Sequence, residues 1–529
     1  MMTADKKMKK LTALTVVLMC ALCSCDKWLD VDPVSNIVTS EFYKTPKEVE
    51  YALTGIYSGL LPISEYYWNM GELRADHLWT SSAEESNTKR DYIDIMTFSS
   101  NQLYADMINK AWLAYFKIIT RANLLIEMME YTEFDESAKV DLRRSYEGEA
   151  RVLRAFAYFD LVRFFGRVPM VTSSQTVDEA MQTGQSDSRE IYEKVIIPDL
   201  QFAADSLYET AYNYDCEEVG SGRVNSIVAK ALLGRVYATM AGFPLYDTAK
   251  AEDAKLLLKE VVDYAFDNDL YWAHDGKEWQ EMWLSDNDNE YHIWEIQYAA
   301  KEDYGNPMVY WMIPNVSSKY IDLKMSGYNI YGREEFLALF DTDMDGDGEY
   351  DDVRRMGTIN YEGDNSTRFI TKFFEHKIKR KRLGYADNTS LVVNRSYFPI
   401  NFPLIRLEDV MLLYAELDGG VSEEAVGYVN KIRDRAGIGP MSDEERADFQ
   451  TAVDIERQRE LAGEGIRWHD IVRRGTWQKL MKDKFHELGT ASSRVYDYAL
   501  RVLDGTYLYP IPDVQMKVKD GLYEQNESY

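Results

Sequence analysis

Cysteine is scarce in this chain of 529 residues, and three of its four cysteines, Cys20, Cys23 and Cys25, crowd near the N-terminus. Only Cys216 lies in the body. A framework of intramolecular disulfides is therefore excluded there, and the fold has to rest on a hydrophobic core, for which the length is ample. Histidine is scarce as well. His77, His274, His292, His376, His469 and His486 are scattered, with no zincin motif, no nucleophile elbow and no metal-ligand spacing among them. No glycine loop cradles a phosphate, because Gly332, Gly346 and Gly348 do not lead from a strand into a helix. Positive charge is in deficit, with 60 Lys and Arg against 89 Asp and Glu, and the formal charge of −29 repels the phosphates of nucleic acid. The apolar run from Leu11 to Leu22 is too short to span a bilayer, which needs about 20 residues.

That run has a different use. Lys6, Lys7, Lys9 and Lys10 precede it, giving the basic and apolar regions of a secretory signal, with Met8 as a second possible start. It ends in Leu22-Cys23-Ser24-Cys25, which resembles the lipobox that is cut before a lipid-bearing cysteine. Cys25 alone has a small residue before it and leucine three before, so residues 1–24 read as a lipoprotein signal and Cys25 as the lipidation site. Removal of the signal takes four lysines and Asp5 and carries the formal charge from −29 to −32. The segment DKWLDVDPVSN has no helical period, and residues 25–44 read as a tether.

Helix signals then follow one another. Thr45, Pro46 and Glu48 form a capping box with proline at the first helical position, ahead of the buried face Val49, Ala52, Leu53, Ile56 and Leu60. Further helices are expected around Trp112 to Ile126, Asp141 to Phe165, Ile191 to Leu207, Ser226 to Met240 and Ala251 to Phe266. The stretch from Pro403 to Gly475 carries three more. Leu407, Val410, Met411, Tyr414 and Leu417 line one face, stopped by Gly419-Gly420. Ser422 caps the next helix, which ends at Gly437. IERQREL then leads through Gly463 and Gly465 into RWHDIVRRG, where Trp468, Ile471 and Val472 face inward and Arg473 and Arg474 suit the negative helix end. Between Leu270 and Asn401 the helical signal thins, and Trp294, Ile296 and Tyr298 alternate with Glu295 and Gln297 as a short strand.

These strings carry a resemblance. RLEDVMLLYAEL, AVGYVNKIRDRAGI, IERQRELAGEGIRWHDIVRRG and YLYPIPDVQMKVKDGLYEQNESY, with GEARVLRAFAYFDLVRFFGRVPMV and RVNSIVAKALLGRVYATMAGFP earlier, resemble the SusD/RagB family over nearly the whole mature chain. The family usually closes on a Pro-Gly-Tyr-like ending, where this chain has Glu527-Ser528-Tyr529. The resemblance implies a mainly α fold: a tetratricopeptide-like scaffold of four helix pairs, with long irregular loops and a few short strands. Leu233-Gly234 with Tyr237 fits such a helix, although the repeat period is not clean. It also implies one domain, 45–529, in halves 45–270 and 271–529, the second opening with the loop region 271–401. The implied function is non-catalytic: an outer-membrane, surface-exposed lipoprotein that captures an oligosaccharide as the lid of a SusC-like TonB-dependent transporter. Peptide cargo on the same fold, a secreted carbohydrate-active hydrolase and a structural adaptor are the rival readings.

Sugar rings stack on Trp and Tyr while neighbouring polar groups take their hydroxyls. Tyr304, Tyr310 and Trp311 in EDYGNPMVYWM, and Trp68 and Trp79 around GELRADHLW, are the candidate ligand contacts. Trp294 reads as core, and Trp279 and Trp283, four apart, as one helical core face. Glu72 and Asp76 have the types of a glycosidase pair, but carboxylates are so abundant that the pair is uninformative. No cofactor is required. DTDMDGDGEYDD nevertheless has calcium-loop spacing, with Asp341, Asp343, Asp345 and Asp347 alternating and Asp352 at position 12, so Ca2+ is the one metal expected, bound to stiffen a loop.

Overall fold

The computed structural model describes residues 42–529 except 81–89, 100–104, 221, 286–290, 302, 314–319, 322–329, 360–367, 388–397 and 490–493. The signal, Cys25 and the tether up to residue 41 lie outside the described residues. Among the described residues, no helix is long and apolar enough to cross a membrane.

Local signals place the first helix, α1 (Pro46–Tyr57), as expected: Thr45 caps Glu48, and Glu48 caps Thr45 in return. It packs on α2 (Ala105–Met128) and α3 (Leu142–Phe165). The stack continues through α4 (Ile197–Ser206), α5 (Ser226–Ala241), α6 (Lys250–Asp267), α7 (Leu407–Asp418), α8 (Glu423–Ala436) and α9 (Phe449–Leu461). Successive helices touch from α2 to α8, and α9 packs on both α7 and α8. The fold is mainly α. The pairs are α2 with α3, α4 with α5, α6 with α7, and α8 with α9. Gly419 and Gly437 end α7 and α8 in the left-handed conformation that glycine adopts without a Cβ clash.

The unclean repeat period has a physical cause. Residues 268–406 are inserted between the two helices of the third pair, and the pair still closes because α6 and α7 pack directly. Four short strands organise the insertion: β1 (Leu78–Trp79), β2 (His292–Ile296), β3 (Tyr331–Gly332) and β4 (Phe402–Arg406). β2 pairs antiparallel with β4, joining the insertion's two ends, and β1 pairs with β3, tying its middle to the first half. The alternation expected around Trp294 does not expose one face, because all of β2 is buried. Glu295 is accommodated by hydrogen bonds from Gln297 at 2.6 Å and Asn401 at 2.7 Å.

Buried charge fixes the insertion on the scaffold. Arg354 pairs with Glu456 at 2.6 Å and Glu460 at 3.1 Å on α9, and Lys372 with Glu464 at 2.6 Å. Arg406 reaches Glu460 and Glu464, and the indole of Trp279 donates to Glu460 at 2.8 Å. Such pairs add little net stability over an apolar core, yet removing one partner strands a buried charge at about 3–5 kcal/mol. Arg473 and Arg474 stand at the end of the helix Arg467–Arg473, as expected, and there both also reach Glu416. Val472 is only half-buried. The two halves meet where Gly71 approaches Gly465: a Cβ on Gly71 would lie 1.9 Å from the Gly465 carbonyl oxygen, so no other residue fits.

Candidate functional site

The site forms where the first half meets the insertion. After α1 the chain turns through Leu61 and Pro62 into a short helix, Ile63–Trp68. From the insertion comes the turn after β2 and a second short helix, Val309–Met312. A buried hydrogen-bond chain locks the two together. Tyr298 donates to Ser64 at 2.7 Å, and Ser64 donates to the side-chain oxygen of Asn306 at 2.9 Å. Asn306 is fully buried, donates to the Ile400 carbonyl at 3.0 Å and accepts from the Met308 N–H at 3.1 Å. Every polar group of this amide is thereby used in holding the loop.

Above this floor lies an open depression of about 460 Å³, lined by Glu65, Lys110, Asp303, Gly305, Pro307 and Tyr310 among others. Tyr310 is half-buried, and Tyr304, 48% exposed beside it in sequence, carries the Lys301 ammonium 5.0 Å from its ring centroid. An aromatic face, carboxylates and an ammonium are thus presented together to solvent. That is the chemistry for stacking a ring and hydrogen-bonding its hydroxyls. Asn306, Glu65, Lys110 and Asp303 gave no signal in the sequence, since nothing local marks an Asn as a tertiary anchor.

The structure separates the expected aromatics. Tyr304 and Tyr310 reach the surface. Trp311 lies beneath them, buried, with its indole donating to Glu65 at 2.8 Å and its ring 6.0 Å from Tyr92. Trp311 therefore orients Glu65 and is not itself a platform. Trp68 and Trp79 are corrected outright, since both are 1% exposed and belong to the core, Trp79 edge-on to Phe485 at 6.1 Å. They are hidden because the short helix and β1 are sandwiched between the two halves, a long-range event. Trp279, Trp283 and Trp294 are core as expected, the first two meeting edge-on at 5.8 Å.

Glu72 and Asp76 are both engaged. Glu72 holds His77 at 3.0 Å and the Gly465 N–H at 3.1 Å, while Asp76 takes Arg467 at 2.8 and 2.7 Å. Burial alone would raise the Asp76 pKa, but Arg467 outweighs it and keeps the carboxyl well below its usual range. The pair is a strut between the halves.

In the acidic loop, Asp343, Asp345 and Asp351 bring carboxylate oxygens within 4.8 Å of one another, and these could receive a divalent cation. Asp352 is a correction. It is buried, caps the short helix Val353–Thr358, and binds Arg354 through both oxygens at 2.9 Å. Asp341 pairs with Arg355 at 2.9 Å, and Asp347, which accepts the Glu349 N–H at 2.8 Å, lies outside the cluster of the other three. The start of that helix turns Asp352 inward, so its neighbour Asp351 takes the place beside the other carboxylates.

Comparison with known proteins matches this architecture. The family model described as "SusD family" matches residues 268–529, and that described as "Starch-binding associating with outer membrane" matches residues 27–238. The chain belongs to the SusD family. SusD-like protein P38 of Formosa agariphila is 25% identical over 506 residues, covering 88% of this chain and 92% of its own. The crystal structure of a SusD homolog from Bacteroides thetaiotaomicron superposes with a TM-score of 0.75 at 22% identity, covering 92% of this chain and 98% of that one. A laminarin-binding SusD-like protein superposes with a TM-score of 0.69 at 22% identity, covering 92% and 100%. Ser528 has φ +78°, the left-handed backbone that glycine takes at no cost.

Proposed function

We propose that this SusD-like chain binds an oligosaccharide across the depression of Tyr304 and Tyr310, without catalysing its cleavage. The observation that carries this reading is that Tyr310, Glu65, Lys110 and Asp303 line one depression, with the exposed Tyr304 nearby in the same loop that the buried Asn306 anchors. Support comes also from a fold shared with a protein described as laminarin binding and from a family description naming starch binding at the outer membrane. On the same reading Cys25 anchors the chain to the outer membrane, outer face exposed, and the body serves as the lid of a SusC-like TonB-dependent transporter that takes up the ligand. The charged rim favours a second reading, in which the cargo is a peptide.

A glycan array probed with the soluble Cys25→Ala chain, run beside a peptide library, tests both. Binding to one glycan class that is lost in Tyr304→Ala and Tyr310→Ala supports the first reading. Peptide binding with no glycan binding replaces it with the second. Co-purification with a transporter from detergent-solubilised membranes tests the lid.

A further inference from the structure

A second depression opens on another face of α2. It is walled by Trp112, Phe116 and Tyr523 and rimmed by Thr120, Gln175 and Thr183, and its volume is about 250 Å³. Trp112 and Phe116 sit one turn apart with centroids 5.1 Å apart, and Tyr523 closes on Trp112 at 6.4 Å, inclined by 52°. Trp112 is fixed from behind by Phe165, edge-on at 5.2 Å. Gln175 donates to the Thr183 hydroxyl at 2.9 Å, which sets the rim. Lys110 of the first depression lies two residues before Trp112, about 200° around the helix axis, so the two depressions face different ways.

The lining differs in kind from that of the first depression. Trp, Phe, Tyr, Leu, Pro, Val, Ala, Ser, Thr and Gln make it up, and no charged residue lines it among the described residues, although 28% of the chain is charged. A charged ligand would find no counter-charge and would lose its hydration. Trp112 is itself buried at the back of the depression, so the aromatic faces within reach of a ligand are those of the half-buried Phe116 and Tyr523, which with hydroxyl and amide neighbours suit a ligand that has one apolar face and many neutral hydroxyls. The volume is below the roughly 300–1,000 Å³ of pockets that enclose drug-sized ligands, which limits the occupant to about one ring. The geometry points to a second, separate carbohydrate subsite here that takes a single neutral sugar ring. It shares only the ligand class with the proposed function, and its residues are distinct.

Saturation-transfer NMR on the soluble Cys25→Ala chain, with methyl glycosides of glucose, galactose, mannose and xylose as probes, tests it. In a Tyr304→Ala, Tyr310→Ala background the signal of at least one glycoside should persist. Adding Thr120→Lys, an exposed helical position that brings charge and bulk to the rim, should weaken it about tenfold, and Tyr523→Ala should do the same. Loss of all signal in the tyrosine background, or an unchanged signal through Thr120→Lys, overturns the subsite. So does the absence of any glycoside signal in the unsubstituted chain, an outcome that leaves the first depression to be judged by oligosaccharide binding on the array.

Discussion

Arg74 donates from Nη2 to the hydroxyl of Tyr529 at 2.9 Å, so the last residue of the chain is held by a side chain from its first half. The same guanidinium donates to the Thr506 carbonyl at 2.6 Å and lies 4.1 Å from the Phe98 centroid and 4.2 Å from that of Tyr509. The Tyr529 hydroxyl in turn donates a hydrogen bond to the Leu508 carbonyl at 2.9 Å. The C-terminus is therefore part of the core's closure.

Tyr529→Phe should cost about 1–3 kcal/mol in chemical denaturation, because it leaves a buried guanidinium and a carbonyl short of a partner. Ser528→Gly should act the other way, relieving a left-handed residue worth about 1–2 kcal/mol, less what is lost with the Gly505 N–H bond to the serine hydroxyl at 3.2 Å. A neutral Tyr529→Phe would show that the clamp contributes nothing.

Alanine at Tyr304 or Tyr310 should leave the melting temperature unchanged and weaken glycan binding about tenfold each, since a stacked ring contributes on the order of 0.5–1.5 kcal/mol beyond burial. Alanine at Trp68 or Trp79 should instead open a core cavity and cost roughly 3–5 kcal/mol. Thermal melts beside binding isotherms separate the two groups, and an early melt of the Tyr304 variant would remove it from the site.

Calcium should raise the melting temperature through linkage if Asp343, Asp345 and Asp351 bind it, and Asp343→Ala with Asp345→Ala should abolish the gain. Asp352→Ala should lower stability with or without calcium, by about 3–5 kcal/mol, because it strands part of the Arg354 charge. A titration that moves nothing in the unsubstituted chain makes the loop an ordinary turn.

Lys484 gives a pH signature. Burial and then the nearby Arg333 push its ammonium down to about 7, while Asp76 pulls the other way; its Nζ donates to the Ala75 carbonyl at 2.6 Å. An unfolded lysine titrates near 10.4. Between those values the unfolded chain holds more protons, so this group's contribution to stability rises from pH 7 to about pH 10 and is lost as pH falls through 7. Lys484→Met should flatten that rise in denaturation curves measured across the window. An unchanged slope would mean that Lys484 stays charged when folded.

Cys25→Ala should move the protein from the membrane fraction to the soluble fraction with its melting temperature unchanged. Retention in the membrane would overturn the anchor.

The sequence by itself determined the helices, because their signals are local: the Thr45 and Glu48 box, the Ser422 cap and the glycines at 419 and 437 act within one or two turns of the residues they organise. The run of motifs along the chain also carried the family. Only the tertiary structure decided that α6 pairs with α7 across the insertion, because that contact is paid for by apolar faces far apart in sequence. It alone decided which aromatics are surface, since Trp68 and Tyr304 have similar neighbours in sequence and differ in whether the other half covers them. Asp351 and Asp352 make the same point: two adjacent aspartates are turned apart by one helix start, toward solvent and toward a buried arginine.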